Sequence, residues 1–534
     1  RQSLPKQLSL DLQAALLQQP QRLTVNTLDG NILLDNKTRL LNLELQQPLV
    51  METTEAGRRI INSEGQLATL SISEIQLGWF SGFVPDTTLK GRLRSADLSL
   101  AAAGQGITTL TSARPVKLEH VTITGPEGAL IKDVGISVRP TIRLSGEGTR
   151  INYRDLRVTG QSQQLLSAGG TVTLPAGENN PVSADGRLVA DVQALSRQPL
   201  VARALQGDVE SPVRLEATYK LAHGAGGIDL DRLSANLFYE DEQPRVSLTA
   251  DSRVRIRTQL GSRQSELGRA RGKVTLAVIN LTPDPFSSIL EANGLSFTEA
   301  NGRAVLSSDG KSLRIDTVEP FIAKGVKVGA AGKPLLDAFT LVADTETVML
   351  GNALHSQVKQ LEVTFDKRPQ QPAINATVDV KLKGQGAATW VEGLTANADM
   401  RLPALLDQPG LLPGHRLKAG EMTAVARMDA SGRLETTARV QGLKSSKELP
   451  LELLEVELNG QLDENGSFDV IMPVQTRGKS GESDLIIKAS HVSKHGEYND
   501  LIASVDSSVF YLNDILNTLE AISNEQAVRE AEAE

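Results

Sequence analysis

The sequence contains no cysteine. That excludes a disulfide framework and thiolate metal sites. It fits an oxidising compartment, where a stray thiol is a hazard, although cytosolic chains also lack cysteine. Aromatic residues are scarce as well: Phe, Tyr and Trp make up 3% of the 534 residues. Rings ordinarily dominate core energetics, so the apolar stock here is Leu, Val, Ile and Ala. No run of about 18 apolar residues exists, so no stretch reads as a membrane-spanning helix. The first residue is Arg1 rather than Met, which leaves room for a removed signal or anchor. The net charge is only −8, and mild acidity argues against nucleic acid as a partner.

What the chain does have is alternation. In Val246–Leu260, "VSLTADSRVRIRTQL", the odd positions are polar and the even ones mostly apolar. Period two argues for a strand with one wet and one dry face. Fifteen residues in one strand would run roughly 50 Å. The dry set comprises Val246, Leu248, Val254 and Ile256. "VRLEATYKL" gives Val213, Leu215, Ala217, Tyr219 and Leu221; "SLRIDTV" gives Leu313 and Ile315; "INATVDVKL" gives Ile374, Val378, Val380 and Leu382. Gly-, Asn- or Asp-containing turns such as "SSDGK" and "DASGR" separate the strands. This is the sign of meandering antiparallel structure, with on the order of 35–40 strands at about 13 residues each.

A looser repeat lies over this pattern. "LDLQAALLQQP" (Leu10–Pro20), "ADVQALSRQP" (Ala190–Pro199) and "MRLPALLDQP" (Met400–Pro409) share a strand end, a short Leu/Ala segment and a closing Gln-Pro. The segments from Ile75, Ile279 and Val509 look similar. Their apolar residues recur at helical spacing, so they read as short helices punctuating a long sheet. The chain divides on this basis into stretches 1–190, 190–400 and 400–520, each a run of β-repeats, followed by an acidic tail at 521–534.

Little points to chemistry. His491 and His495 are four apart, but "IIKASHVSKHGEYN" reads as a strand running into a turn, which separates them. "RGKS" at Arg477–Ser480 resembles the end of a phosphate loop, yet the first Gly of that motif would fall on Pro473. A hairpin turn is the better reading. No Gly-x-Ser-x-Gly elbow occurs. The expectation is a protein that is not an enzyme and holds no metal or cofactor. Arg253, Arg255 and Arg257 would stand in a row on the wet face. A solvated face explains them best, and contact with anionic headgroups is the functional alternative. Trp79, Phe80 and Phe83 read as packing under a helix rather than as a membrane-interface anchor.

A one-sided apolar sheet must have its dry face covered. A second sheet, its own curl, or a ligand would serve. Smooth walls of Leu, Val, Ile and Ala suit alkyl chains, which need burial and little directional bonding. The expected fold class is therefore mainly β, an elongated, curled antiparallel sheet forming a β-groove, punctuated by short α-helices.

Units such as "TRINYRDLRVTGQSQQLLSAGGTVTL", "GGIDLDRLSANLFYEDEQPRVSLTA" and "SLRIDTVEPFIAKGVKVGAAG" run one strand into the next through a short turn. Together with the "ADMRLPALLDQPGLL" connection and the "SSVFYLNDILNTLEAI" close, they resemble the AsmA-like family of Gram-negative envelopes, of the TamB and YhdP type. The resemblance covers nearly the whole chain at the level of pattern and has no invariant motif. It implies an inner-membrane anchor outside this chain, a periplasmic location, and an apolar groove that moves phospholipid between inner and outer membrane. Its implied partners are phospholipid or another acyl-chain lipid, both membranes, and envelope proteins at the ends. The residue pattern leaves two other functions open. One is an envelope assembly factor that offers its sheet edge to outer-membrane strands; the other is a structural rod with a packed core.

Overall fold

In a computed structural model the chain is mainly β-strand with a few short helices. The structure describes residues 8–522 except 36, 55–56, 62–63, 84–85, 105, 162, 178–179, 206, 225–226, 257–270, 331–332, 352, 384–389, 412–413, 446–448, 463–466 and 495–496. The chain forms two units: Arg1–Leu267 with Asp284–Ile289, and Gly268–Pro283 with Leu290–Glu534.

The first unit opens with β1 (Leu8–Gln19), β2 (Arg22–Leu34), β3 (Thr38–Leu45), β4 (Leu49–Thr54), β5 (Gly57–Ile60) and β6 (Gly65–Gln76). A 3-10 turn, Leu77–Phe83, leads to β7 (Thr88–Ala102), β8 (Thr108–Ser112) and β9 (Val116–Gly125). Then come β10 (Gly128–Ser145), β11 (Gly148–Gly160), β12 (Gln163–Pro175) and β13 (Val182–Asp191). Two helices follow, α1 (Val192–Ser196) and α2 (Pro199–Leu205), before β14 (Arg214–Gly224), β15 (Gly227–Phe238), β16 (Pro244–Ala250) and β17 (Val254–Ile256). From β10 to β16 each strand pairs antiparallel with the one before. β13 pairs β14 across the two helices that follow residue 191.

The second unit begins with β18 (Arg271–Leu281), then α3 (Ser287–Ala292, its first three residues counted in the first unit), β19 (Leu295–Ser296), β20 (Glu299–Asp309), β21 (Ser312–Ala330) and β22 (Lys333–Pro334). It continues with β23 (Phe339–Leu350), β24 (Ala353–Phe365), β25 (Ile374–Lys383) and β26 (Trp390–Arg401). After α4 (Leu402–Leu406) come β27 (Leu417–Met428), β28 (Arg433–Ser445), β29 (Leu451–Leu462), β30 (Phe468–Gly478), β31 (Gly481–Lys494), β32 (Glu497–Asp506) and α5 (Leu512–Ile522). This meander also runs unbroken through residue 400, where β26 pairs β27.

In the second unit the strands alternate in direction, so β18, β26 and β32 all end at one rim. Each is followed by a helix. In the first unit β6 and β13 likewise end together, at the 3-10 turn and at α1. Two of these helices carry a residue that favours a helix at their start. Asp191 Oδ1 accepts a hydrogen bond from Ala194 N at 2.9 Å, and Pro403 sits in the first turn of α4. Both features favour a helix start. The copy at Leu10–Pro20 behaves differently. It is strand throughout, because Leu8 to Gln19 hydrogen-bonds in register with Arg22 to Leu34 around a two-residue turn. A full hairpin ladder outweighs a weak helical spacing.

The strand proposed over Val246–Leu260 is interrupted. It forms β16 and β17 with a break at 251–253, and both pieces pair with β15; Ser252 is exposed there. The "RGKS" segment is the two-residue hairpin between β30 and β31. His491 is buried and stacks on Phe468, its cross-strand partner, with ring centroids 5.5 Å apart. His495 lies outside the described residues. Leu77 packs into a buried cluster with Val121 and Val134, Trp79 is half-buried and Phe80 exposed.

The closing helix is fastened by its polar side. Asp514, buried in α5, accepts from Ser480 N at 2.9 Å and Ser480 Oγ at 2.7 Å. One turn on, Thr518 Oγ1 accepts from Leu451 N at 3.2 Å. Asp514→Ala would remove two hydrogen bonds to a charged acceptor, a cost of about 1.5–3 kcal/mol. Hydrogen exchange should then accelerate at the α5 amides while β23–β26 stay protected. Unchanged α5 protection would show that something else holds the helix.

Candidate functional site

Directly opposed residues of an antiparallel pair share a face, so the registers trace which side chains line up across a unit. In the first unit one line runs Ile75, Leu93, Leu118, Ile136, Val158, Leu166, Ala190, Leu215, Leu237, Val246 over ten strands. In the second another runs Phe321, Ala343, Leu361, Ala376, Ala398, Ala424, Ala438, Val456, Val474, Leu485, again over ten. Both are wholly apolar, and in each only one member, Ala190 or Ala376, is fully buried. The remaining members are half-buried. A face sealed by a second sheet would bury such a line throughout.

Keeping the line on one face requires local corrections. His120, Asp133 and Asp155 have φ of 54°, 51° and 52°, and the ladder slips beside each of them. Each inserts one extra residue, so that Leu118 and Val121, Ile131 and Val134, and Tyr153 and Leu156 point the same way although their spacing is three. Such bulges sharpen the bend of a sheet, and they lie on three consecutive strands. In the second unit Asn280, Gly302 and Gly325 accompany similar slips in β18, β20 and β21.

Burial changes along the strands. Near each unit's own helix-bearing rim burial is high: Val134 and Val121 expose 1% and 4% in the first unit, and Phe365 and Phe339 expose 3% and 7% in the second. Here α1 contributes Ala194 to one closed cluster and α4 contributes Ala404 to another. Toward the opposite rim the same face opens: Leu144 and Leu174 expose 41% and 40%, and Ile315, Leu306 and Met349 between 37% and 41%. Total accessible surface is 32178 Å² for 57.2 kDa. Two compact monomers of half that mass would together expose about 23,000 Å².

The nine residues expected to line a face in the first unit fall into the same set of lines. Leu188 opposes Ala217, Leu237 opposes both Leu215 and Val246, and Ala235 opposes both Ala217 and Leu248. Gly186 and Leu233 flank Tyr219, while Leu230 joins Leu221 to Val254, and Ile228 opposes Ile256. Val213 is buried just before β14. In the second unit Leu382 connects through Leu354 and Met349 to Leu313, and Val380 through Ser356 and Thr347 to Ile315. Ile374 and Val378 share the alternation of β25.

The opposite face is polar and internally paired. Arg253 Nη2 and Arg255 Nε lie 2.6 and 2.5 Å from Asp229 carboxylate oxygens, and Arg253 Nε also lies 3.1 Å from Asp231. These two arginines thus flank Val254 on the other side of the strand and are held by carboxylates. Arg257 lies outside the described residues. Arg314 and Lys359 share Glu346 and Asp316 in the same manner, and Arg92 and Arg94 share Glu119. Such lattices keep a wet face soluble and ordered while each pair contributes little.

One feature of the apolar face was missed in the sequence reading. Tyr153 and Tyr219, on β11 and β14, meet hydroxyl to hydroxyl at 2.6 Å. They span Gly170 and Gly186 on the intervening strands. A Cβ on Gly170 would lie 2.7 Å from Tyr153 Oη, and one on Gly186 2.9 Å from Tyr219 Oη. Only glycine leaves room for the rings to lie over the sheet. Burial, then the neighbouring hydroxyl, pushes the Tyr153 phenol well above its usual value. Two glycines facing two tyrosines in neighbouring strands were the available signal.

Among the described residues no helix is long and apolar enough to cross a membrane. No family model and no curated protein matches the chain.

The Arg255 hydrogen bond, aided by Arg253, holds the Asp229 carboxyl below its ordinary value. A depressed folded pKa means that its stabilising contribution is complete above about pH 4, the unfolded value. It is lost as pH falls through the lowered folded value. Asp229→Asn should therefore lower the urea midpoint slightly at pH 7, and the gap from the parent should close in strong acid. A gap independent of pH would remove the ion pair as its cause.

Proposed function

We propose that this chain binds acyl-chain lipid along its apolar face and conducts phospholipid through the bacterial envelope. In this reading it is a periplasmic protein of the AsmA-like type, anchored to the inner membrane by a segment outside this chain. The observation that carries the proposal is the half-buried apolar line crossing ten strands in each unit. Leaving so many Leu, Val and Ile side chains incompletely covered forgoes part of the roughly 1.5–3 kcal/mol that full burial of each contributes. A mobile alkyl chain supplies that cover without a fixed partner. Movement would be passive, with chains sliding along the apolar face and headgroups near water.

A second reading has one observation in its favour. β1 pairs with β2 alone among the described residues, and Leu10, Leu12, Leu16 and Leu17 are exposed on it. A bare edge of this kind could receive a strand from an outer-membrane protein. A photocrosslinker on β1 separates the two readings, since the edge reading predicts capture of nascent barrel protein and the groove reading does not.

For the leading reading the test is a charge on the apolar face. Leu215→Asp in the first unit and Ala398→Asp in the second should reduce phospholipid extracted from the purified chain at least fivefold. Thr218→Asp, which points to the wet face, should leave lipid content unchanged. Lipid content equal in all three, or absent from the parent chain, would sink the proposal.

A further inference from the structure

The inference rests on the lipid-binding reading and concerns the tyrosine bridge at mid-strand. Among the described residues Tyr153 and Tyr219 are the one hydroxyl pair set into the apolar lines of β11–β14. Toward the closed, helix-bearing rim the adjoining line is Leu156, Ala168, Leu188 and Ala217. Toward the open rim it is Ile151, Val172, Ala184 and Leu221. Neighbouring lines are about 6.6 Å apart, two residues along a strand. The bridge thus sits at mid-strand between two half-buried apolar lines.

Its hydrogen bonding is incomplete. Two phenols carry two O–H donors, and one is used between them. Among the described residues the other donor has no protein acceptor. The raised pKa of Tyr153 keeps that hydroxyl protonated at any physiological pH. An O–H donor surrounded by apolar side chains gains most from an acceptor that arrives with apolar groups attached. A free inorganic anion would have to shed its hydration to reach it.

We propose that the Tyr153–Tyr219 bridge is a binding point for the ester carbonyl of a glycerolipid. The acyl chains lie along the Leu156 and Leu188 side, and the headgroup is directed to the open rim. The pair then sets the depth of the lipid in the first unit and discriminates ester-linked from ether-linked chains.

The test uses the whole chain and two probes, dioleoyl phosphatidylglycerol and its diether analogue, which differ only in the carbonyls. Affinities are measured by competition against a fluorescent lipid. The parent should prefer the ester lipid by about three- to tenfold, the range of one net hydrogen bond. The double variant Tyr153→Phe/Tyr219→Phe keeps both rings over the glycines. It should bind the two lipids equally while retaining ether-lipid affinity within twofold. The carbonyl stretch of 13C-labelled ester lipid should shift to lower frequency on the parent and not on the double variant. Equal preference in parent and variant, with both binding lipid, overturns the bridge proposal and leaves the groove standing. Equal weakening of both lipids in the variant points the hydroxyls at phosphate and also overturns it. Failure of the parent to bind either probe overturns the groove reading itself.

Discussion

The structure depends on cross-strand register. The side-chain period of a strand is two, so a slip of one residue moves every apolar side chain to the wet face. Here the consequence would be severe, because each line is handed from strand to strand nine times. A slip between β13 and β14 would set Leu215 against Val189 or Asp191 instead of Ala190, and the line would end there. The ion-pair lattice on the other face works to the same end. Asp229 can hold both Arg253 and Arg255 only in the register that also joins Leu230 to Val254. Surface pairs of this kind add little stability, but they penalise the alternative registers.

Bulges and register belong to one account. A curled sheet needs extra residues on some strands, and each extra residue would flip the face. In these strands the flip is absorbed at once: His120, Asp133 and Asp155 adopt the left-handed conformation, and alternation resumes on the original side. His, Asp and Asn tolerate that conformation better than other non-glycine residues. Curl and a continuous apolar face are therefore produced by the same few positions.

Much of this was legible in the sequence. The alternation of β14, β25 and the start of β21 identified strands, and Leu215, Val380 and Leu313 lie opposite Ala190, Ser356 and Met349 in the registers. The helices after β13, β26 and β32 were visible from their caps and spacing. What escaped notice was written in the breaks of the alternation. "LEHV", "IKDV" and "YRDL" each place two polar residues between apolar ones, which is the trace of a bulge and not a lapse of pattern. The Leu10–Pro20 segment escaped for a different reason: its spacing satisfies a helix, and only the pairing partner at Arg22–Leu34 decides otherwise. The tyrosine bridge is non-local by nature, since it joins residues 66 apart through two glycines.

The helices give the two rims different characters, and this bears on how a lipid would lie. At each unit's own helix-bearing rim, α1 in the first and α4 in the second complete clusters around Val134 and Phe365 that are as dry as an ordinary core. At the other rim Leu144, Leu174 and Met349 end the same face with no such cover. A headgroup needs water and an acyl chain avoids it, so an occupant can take only one orientation across the strands. If the apolar face carries lipid, the gradient of burial orients every molecule alike, with chains toward the helices and headgroups toward the turns. Movement perpendicular to the strands then leaves each headgroup hydrated throughout. The barrier to sliding is set by small steps between lines of Leu, Val and Ala, with the larger cost of moving a polar group through an apolar wall never incurred.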